Sequence, residues 1–200
     1  MDALLHGILL AVGLILPLGV QNVFVFSQGA AQPSLPKALP AAVTASLCDT
    51  LLILLSVTGL SVIVFTFDWL RTGLIIGGVL FLVYMGWSLW QIEGASASTH
   101  GAMPIKQQMV FALSVSLLNP HAILDTVGVI GTSALAYTGM DLLLFTCACI
   151  GVSWLWFLGL IFAGSTMKHV DPAGRVMPVF NKCSALFIWA MALYLLSGLV

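Results

Sequence analysis

The chain has 200 residues, 60% hydrophobic and only 6% charged, with a mean hydropathy of +1.13. A soluble domain carries about 25% charged residues, so six basic and seven acidic side chains exclude an ordinary cytosolic enzyme and a disordered chain. A net charge of −1 gives no basic footprint for nucleic acid, and a polytopic membrane protein remains.

The gaps between charges mark the spans. No Lys, Arg, Asp or Glu lies between Asp2 and Lys37, Asp49 and Asp68, Arg71 and Glu93, Lys106 and Asp125, Asp141 and Lys168, or beyond Lys182. A spanning helix needs about 20 mostly apolar residues. Six helices are predicted, at 4–27, 38–63, 71–92, 107–133, 141–165 and 179–199. The runs lack the strict alternation of barrel strands. The expected fold is an all-α integral membrane protein with six transmembrane helices.

The links are short and rich in turn residues. Pro33-Ser34-Leu35-Pro36 follows the first span, and Phe67-Asp68-Trp69 makes a tight link with an interfacial tryptophan. Residues 93–101 are small and polar. Residues 168–175 form a basic loop. The first span has no positively charged leader and runs on through Gln21 and Asn22, so it reads as a span and not as a cleaved signal. Lys37, Lys106, Lys168, Arg175 and Lys182 lie at the odd-numbered connections, against Arg71 alone on the other side. The positive-inside rule then puts those connections in the cytoplasm and both termini outside.

The two halves echo each other. Aligning Pro17 with Pro120 puts Leu14 on Leu117 and Asn22 on Asp125. The first span of each half then has a proline near mid-depth and a polar side chain five residues later. Three spans per half make the second half enter from the opposite face, an inverted 3+3 repeat of the kind found in transporters. The first repeat covers 1–92, the linker 93–106 and the second repeat 107–200. Proline removes a backbone donor and frees a carbonyl. In hydrocarbon such a break must be satisfied by protein or by a water-filled cavity. Pro17 with Gly19, and Pro120, are therefore expected to break the first and fourth helices at a binding site.

Asp49 in the second span and Asp125 in the fourth are carboxylates at membrane depth, where a charge costs about 2.5–3.5 kcal/mol on insertion scales. They are the candidate cation and proton site. Gln21, Asn22, Asn119 and Thr126 flank the breaks and offer amide and hydroxyl groups for an amino acid's ammonium and carboxylate; each could equally tie helices together. His121 shares a helix face with Asp125, too little for a metal site. Cys48, Cys147 and Cys149 raise a thiol oxidoreductase as a rival, but no Cys-x-x-Cys is present and they read as packing residues. The remaining tryptophans, and Gly73 with Gly77, read as interface anchors and helix packing.

Leu16-Pro17-Leu18-Gly19-Val20-Gln21-Asn22-Val23-Phe24, Gln28-Gly29, Cys48-Asp49 and Leu118-Asn119-Pro120-His121-Ala122-Ile123-Leu124-Asp125-Thr126 resemble the LysE family, most closely its LysE/ArgO basic amino-acid exporters. Gly77-Gly78-Val79-Leu80, Ser153-Trp154-Leu155-Trp156 and the 181–195 stretch add to the likeness, which covers nearly the whole chain. Val20 departs from the proline common after this glycine in the family. The resemblance implies export of lysine, arginine or a related compound across the bacterial inner membrane.

Residues and resemblance together predict a secondary transporter and not an enzyme, working by proton antiport without cofactor or metal. Its partners are a cationic amino acid, protons and the lipid bilayer, with no nucleic acid; a homo-oligomer is compatible. Export of another small cation or metal is the rival within transport.

Overall fold

The computed structural model describes residues 2–16, 19–60, 68–91, 102–119, 122–123, 126–170 and 176–197. Among these the chain is all-helical. Helices α1 (Asp2–Ile15) and α2 (Val20–Ala31) are followed by α3 (Leu35–Leu55), which continues as a π turn, Ser56–Leu60. Next come α4 (Asp68–Trp90) and α5 (Ile105–Leu117). A second π turn, Thr126–Ile130, leads into α6 (Gly131–Ala134), α7 (Gly139–Val170) and α8 (Val176–Ser197). Helical structure falls on every charge-free interval of the sequence.

Most helix ends differ from expectation by a few residues: α2 runs on to Ala31, α3 opens at Leu35, α5 at Ile105 and α8 at Val176. Helix α4 opens at Asp68, and α7 runs on through Lys168 and His169 to Val170. A helix that keeps its backbone bonds into the headgroup region can still wet its charged side chains there.

Leu35–Gly59 and Gly139–Met167 are each long and apolar enough to cross a bilayer, and α1 and α2 pass the same test together, with a bend of 80° between them, as a broken span or a re-entrant loop would. The packing is inside-out relative to a soluble protein. Helix α1 buries Ala3, Gly7 and Ala11 and exposes Leu4, Leu5 and Leu9. Gln21, Gln28, Ser46, Gln108 and Ser116 are buried, while Leu47, Leu80, Leu155 and Phe162 face outward. Lipid tails solvate leucine as well as a protein core does, so close contact between helices falls to small and polar residues.

Helix α7 is the central post. It packs against α1, α2 and α3, while α3 also packs against α5. Helices α4 and α8 pair with each other and join the rest through a core of Val20, Val23, Leu82, Val115, Ala185 and Ile188. The closest approach is between α2 and α7: a Cβ on Gly29 would sit 2.5 Å from the Ile161 carbonyl oxygen, and one on Gly164 would strike the Phe26 carbonyl. Gly73 and Gly77, expected to pack helices, both face open space.

The same helix is a ruler for depth. Phe145 and Cys149 lie against Gly7, Ser153 meets Asp49, Trp156 meets Asn22, and Ile161 meets Gly29. At 1.5 Å per residue, Phe145 to Ile161 spans about 24 Å, most of a bilayer's hydrocarbon thickness of about 30 Å. Asp49 lies midway.

The ladder is interrupted where the prolines stand. The last bond of α1 is Leu16 N–H to Val12 C=O at 3.1 Å, and α2 restarts from an extended Gly19. Helix α5 ends with Leu118 N–H on Ser114 C=O at 2.9 Å. Pro17 and Pro120 themselves lie outside the described residues. Helix α3 ends in the π turn, where Gly59 takes φ 101°, a left-handed conformation that a side chain would strain.

Candidate functional site

A cavity of about 110 Å³ lies between α1, α2, α3, α7 and the segment after α5. Its polar lining comes from Gln21, Asn22, Asp49, Asn119, Thr126 and Ser153; Gly19 and Cys149 also line it. Apolar residues such as Leu14, Ile53, Leu82 and Phe157 complete the wall. Six residues singled out from the sequence thus meet at one place: Gly19, Gln21, Asn22, Asp49, Asn119 and Thr126. His121 and Asp125 lie outside the described residues, as do Pro17 and Pro120.

The first break builds one wall. Because α1 stops at Ile15, its last carbonyls lack helical partners. The Asn22 side chain turns back and donates from Nδ2 to the Ile15 carbonyl at 2.9 Å. Its Oδ1 accepts from the Trp156 indole at 3.2 Å. Asn22 thus caps the broken helix and ties it to α7. Gln21, one residue earlier, points to Asp49, with Nε2 donating to Oδ1 at 3.0 Å.

Asp49 is held from two sides. Gln21 of α2 takes one carboxylate oxygen, and the Ser153 hydroxyl of α7 donates to the other at 2.8 Å. Both donors are neutral, and among the described residues no cation pairs with the carboxylate. A carboxylate has about four lone-pair sites, so two hydrogen bonds leave capacity for a proton or a cation arriving through the cavity. The next residue along, Thr50, accepts from the Trp154 indole at 3.1 Å. On the far side, Asn119 is buried and its Oδ1 has no hydrogen-bond partner among the described residues.

Sequence reasoning missed Ser153 and Trp156. Ser153 is a lone polar residue inside an apolar run, a signal of the kind that drew attention to Asp49. Trp154 and Trp156 were expected at the membrane interface but serve as interior donors; Trp69 and Trp87 are exposed. All four cysteines are free, and Cys149 donates to the Gly7 carbonyl at 3.6 Å. Among the described residues no cluster of three or more His, Cys, Asp or Glu could hold a metal ion.

Known proteins match nearly the whole of this chain. YisU of Bacillus subtilis (strain 168), named an amino-acid transporter, is 55% identical over 195 residues, covering 97% of this chain and 89% of its own. The arginine exporter protein ArgO of Pectobacterium carotovorum (strain PC1) is 30% identical over 196 residues, covering 96% and 95%. ArgO of Enterobacter sp. (strain 638) is 30% identical over 195 residues, covering 95% and 91%. No solved structure matches the chain. The model of the LysE type translocators matches residues 12–198, and the chain belongs to that family of amino-acid transporters.

Proposed function

We propose that the protein exports a cationic amino acid, arginine or lysine, from the bacterial cytoplasm in exchange for a proton. One observation carries the reading: Asp49 lies beside the cavity at mid-depth, held among the described residues by two neutral donors, Gln21 and Ser153. An acid in that place faces a substrate or a proton by default. The likeness to arginine exporters at 30% identity supports a cationic substrate.

The architecture behind the reading is six spans in an inverted 3+3 repeat, 1–92 and 107–200, in the inner membrane with both termini outside. The packing is consistent with it. Helix α7 lies against α1 and α2, the first span of the other half. Helix α3 lies against α5 and the second π turn, which belong to the first span of its own opposite half. Each half's second span thus embraces the broken span of the other. Asp125 is the partner acid by its repeat position opposite Asn22, and Thr126 and Asn119 complete the second half's side of the site. His121 lies one turn before Asp125 in sequence.

The test is counterflow in proteoliposomes over the twenty amino acids. Arginine and lysine should exchange, and the Asp49→Asn protein should not. Exchange confined to neutral amino acids would overturn the cationic assignment.

A further inference from the structure

Beyond the cavity, at the end of the molecule shared by 32–34 and 102–104, lies a second buried polar cluster. Gln28 and Gln32 of α2 and Gln108 of α5 are 0%, 3% and 1% exposed. They converge on the backbone of a single residue, Met103. Gln32 Nε2 donates to the Met103 carbonyl at 2.8 Å, and Gln108 Nε2 donates to the same oxygen at 2.8 Å. Gln28 Oε1 accepts from the Met103 N–H at 3.4 Å and from Gln32 Nε2 at 3.1 Å. Gln108 Nε2 also donates to the Lys37 carbonyl at the start of α3, at 2.9 Å.

From this geometry we propose that Gln28, Gln32 and Gln108 form the latch of the gate on the basic side of the membrane. The inference rests on the transport reading. Four features support a gate over a fixed staple. The latch joins the ends of α2, α3 and α5, which belong to both halves, and does so largely through one residue of the segment connecting them. It stands at and just beyond the close contact of α2 with α7 around Gly29, on the basic-face side of the cavity-lining Gln21 and Asn22. Exposed Lys37 and Lys106 flank it and mark the face from which a cytoplasmic substrate must enter. Lastly, the closed arrangement is incompletely satisfied: Gln28 Nε2 and Gln108 Oε1 are buried without a partner among the described residues. An unpaired buried donor and acceptor both regain partners when the ends separate and water enters, which favours a closure that can reverse. The opposite end has its own closure, His6 of α1 against Tyr137 at 2.8 Å, with the Phe145 ring tilted against both.

Cys149 lines the cavity and is a native reporter of access. With Cys48, Cys147 and Cys183 changed to Ser, it is the only thiol. The probe is a membrane-impermeant cationic methanethiosulfonate, applied to right-side-out and inverted vesicles. Gln32→Met and Gln108→Met each remove latch donors while keeping an unbranched side chain. Labelling from the basic face should speed up roughly ten- to hundredfold in either variant, the factor expected from the two hydrogen bonds that each loses, with no change from the opposite face. Unchanged rates in both variants, or equal acceleration from both faces, would overturn the latch. Should either variant fail to reach the membrane, Gln28→Asn, which draws the acceptor back from the Met103 N–H, is read by the same two outcomes. Labelling does not depend on substrate, so absence of amino-acid counterflow by the wild-type protein would overturn the export reading separately.

Discussion

Ser153 donates to Asp49 across 104 residues of sequence, and its neighbour Trp154 donates to Thr50 across the same 104. The offset between Pro17 and Pro120 is a single residue shorter. In an inverted repeat, residues in equivalent places of the two halves touch each other only beside the pseudo-two-fold axis. The proposed architecture therefore puts Asp49 next to that axis, between the elements that rock against each other during alternating access. A carboxylate there feels both halves and can couple its occupancy to their relative position.

Asp49→Asn keeps the shape and removes the charge and the proton site. Coupled efflux should vanish while the protein still reaches the membrane. Ser153→Ala leaves the carboxylate but removes one of its two donors. A hydrogen bond to a charged group contributes about 1.5–3 kcal/mol, so transport per unit substrate should fall roughly 10- to 100-fold. Uptake of labelled arginine into counterflow proteoliposomes measures both. Wild-type rates from Asp49→Asn would remove this residue from the mechanism.

The first break separates stability from transport. Asn22→Leu strands both the Ile15 carbonyl and the Trp156 indole. Each unpaired buried group costs about 1–3 kcal/mol, so the melting temperature in detergent should drop by several degrees. Asn22→Asp keeps the acceptor for Trp156 but sets a carboxylate against the Ile15 carbonyl at a depth where a charge costs about 2.5–3.5 kcal/mol, so its loss at neutral pH should be at least as large. Pro17→Ala combined with Pro120→Ala restores two backbone donors. It should slow transport far more than it changes melting. A double variant with normal transport would reduce the prolines to kinks.

Two glycines give opposite outcomes for the same change. A Cβ at Gly29 meets the Ile161 backbone at 2.5 Å, and that carbonyl cannot rotate away. Gly29→Ala should cost about 1–3 kcal/mol as overpacking. Gly13 has nothing within 4 Å. Gly13→Ala should be neutral or stabilising by up to about 1 kcal/mol from helix propensity. Thermal melting of the purified variants compares them, and similar losses at both would mean that the α2–α7 contact is not tight.

The helices and much of the candidate site were legible because charge is so scarce. Each charged residue stood out as a boundary or a buried acid, and Gln21, Asn22, Asn119 and Thr126 were conspicuous in apolar runs. Ser153, though as visible, and Trp156 could not be placed in the site from sequence, for a reason of geometry. Helix α7 is apolar all round, so its sequence carries no stripe to say which side faces Asp49. Rotation about its axis is fixed instead by the Gly29–Gly164 contact, a tertiary property. The same blindness favoured Gly73 and Gly77, whose spacing fits a packing motif but which face open space. The glutamine latch was hidden because its partners are backbone groups in a linker, which no residue type announces.

Coupling gives the last prediction. Moving a +1 amino acid out of an inside-negative cell costs about 2.3 kcal/mol per 100 mV. Facilitated diffusion would therefore accumulate the cation inside, the reverse of export. Exchange of one proton inward for one monovalent cation outward moves no net charge, so the membrane potential drops out. The pH gradient then supplies the drive, worth about 1.36 kcal/mol per unit. Asp49, which has no cation partner among the described residues, suits that exchange, since proton and substrate cation can occupy one carboxylate in turn but not together. Efflux of arginine from proteoliposomes should accelerate when the outside is made acidic. At zero pH gradient it should respond little to a potassium–valinomycin potential. Strong voltage dependence without pH dependence would exclude one-for-one antiport and point to a different ion or a different stoichiometry at the same acid.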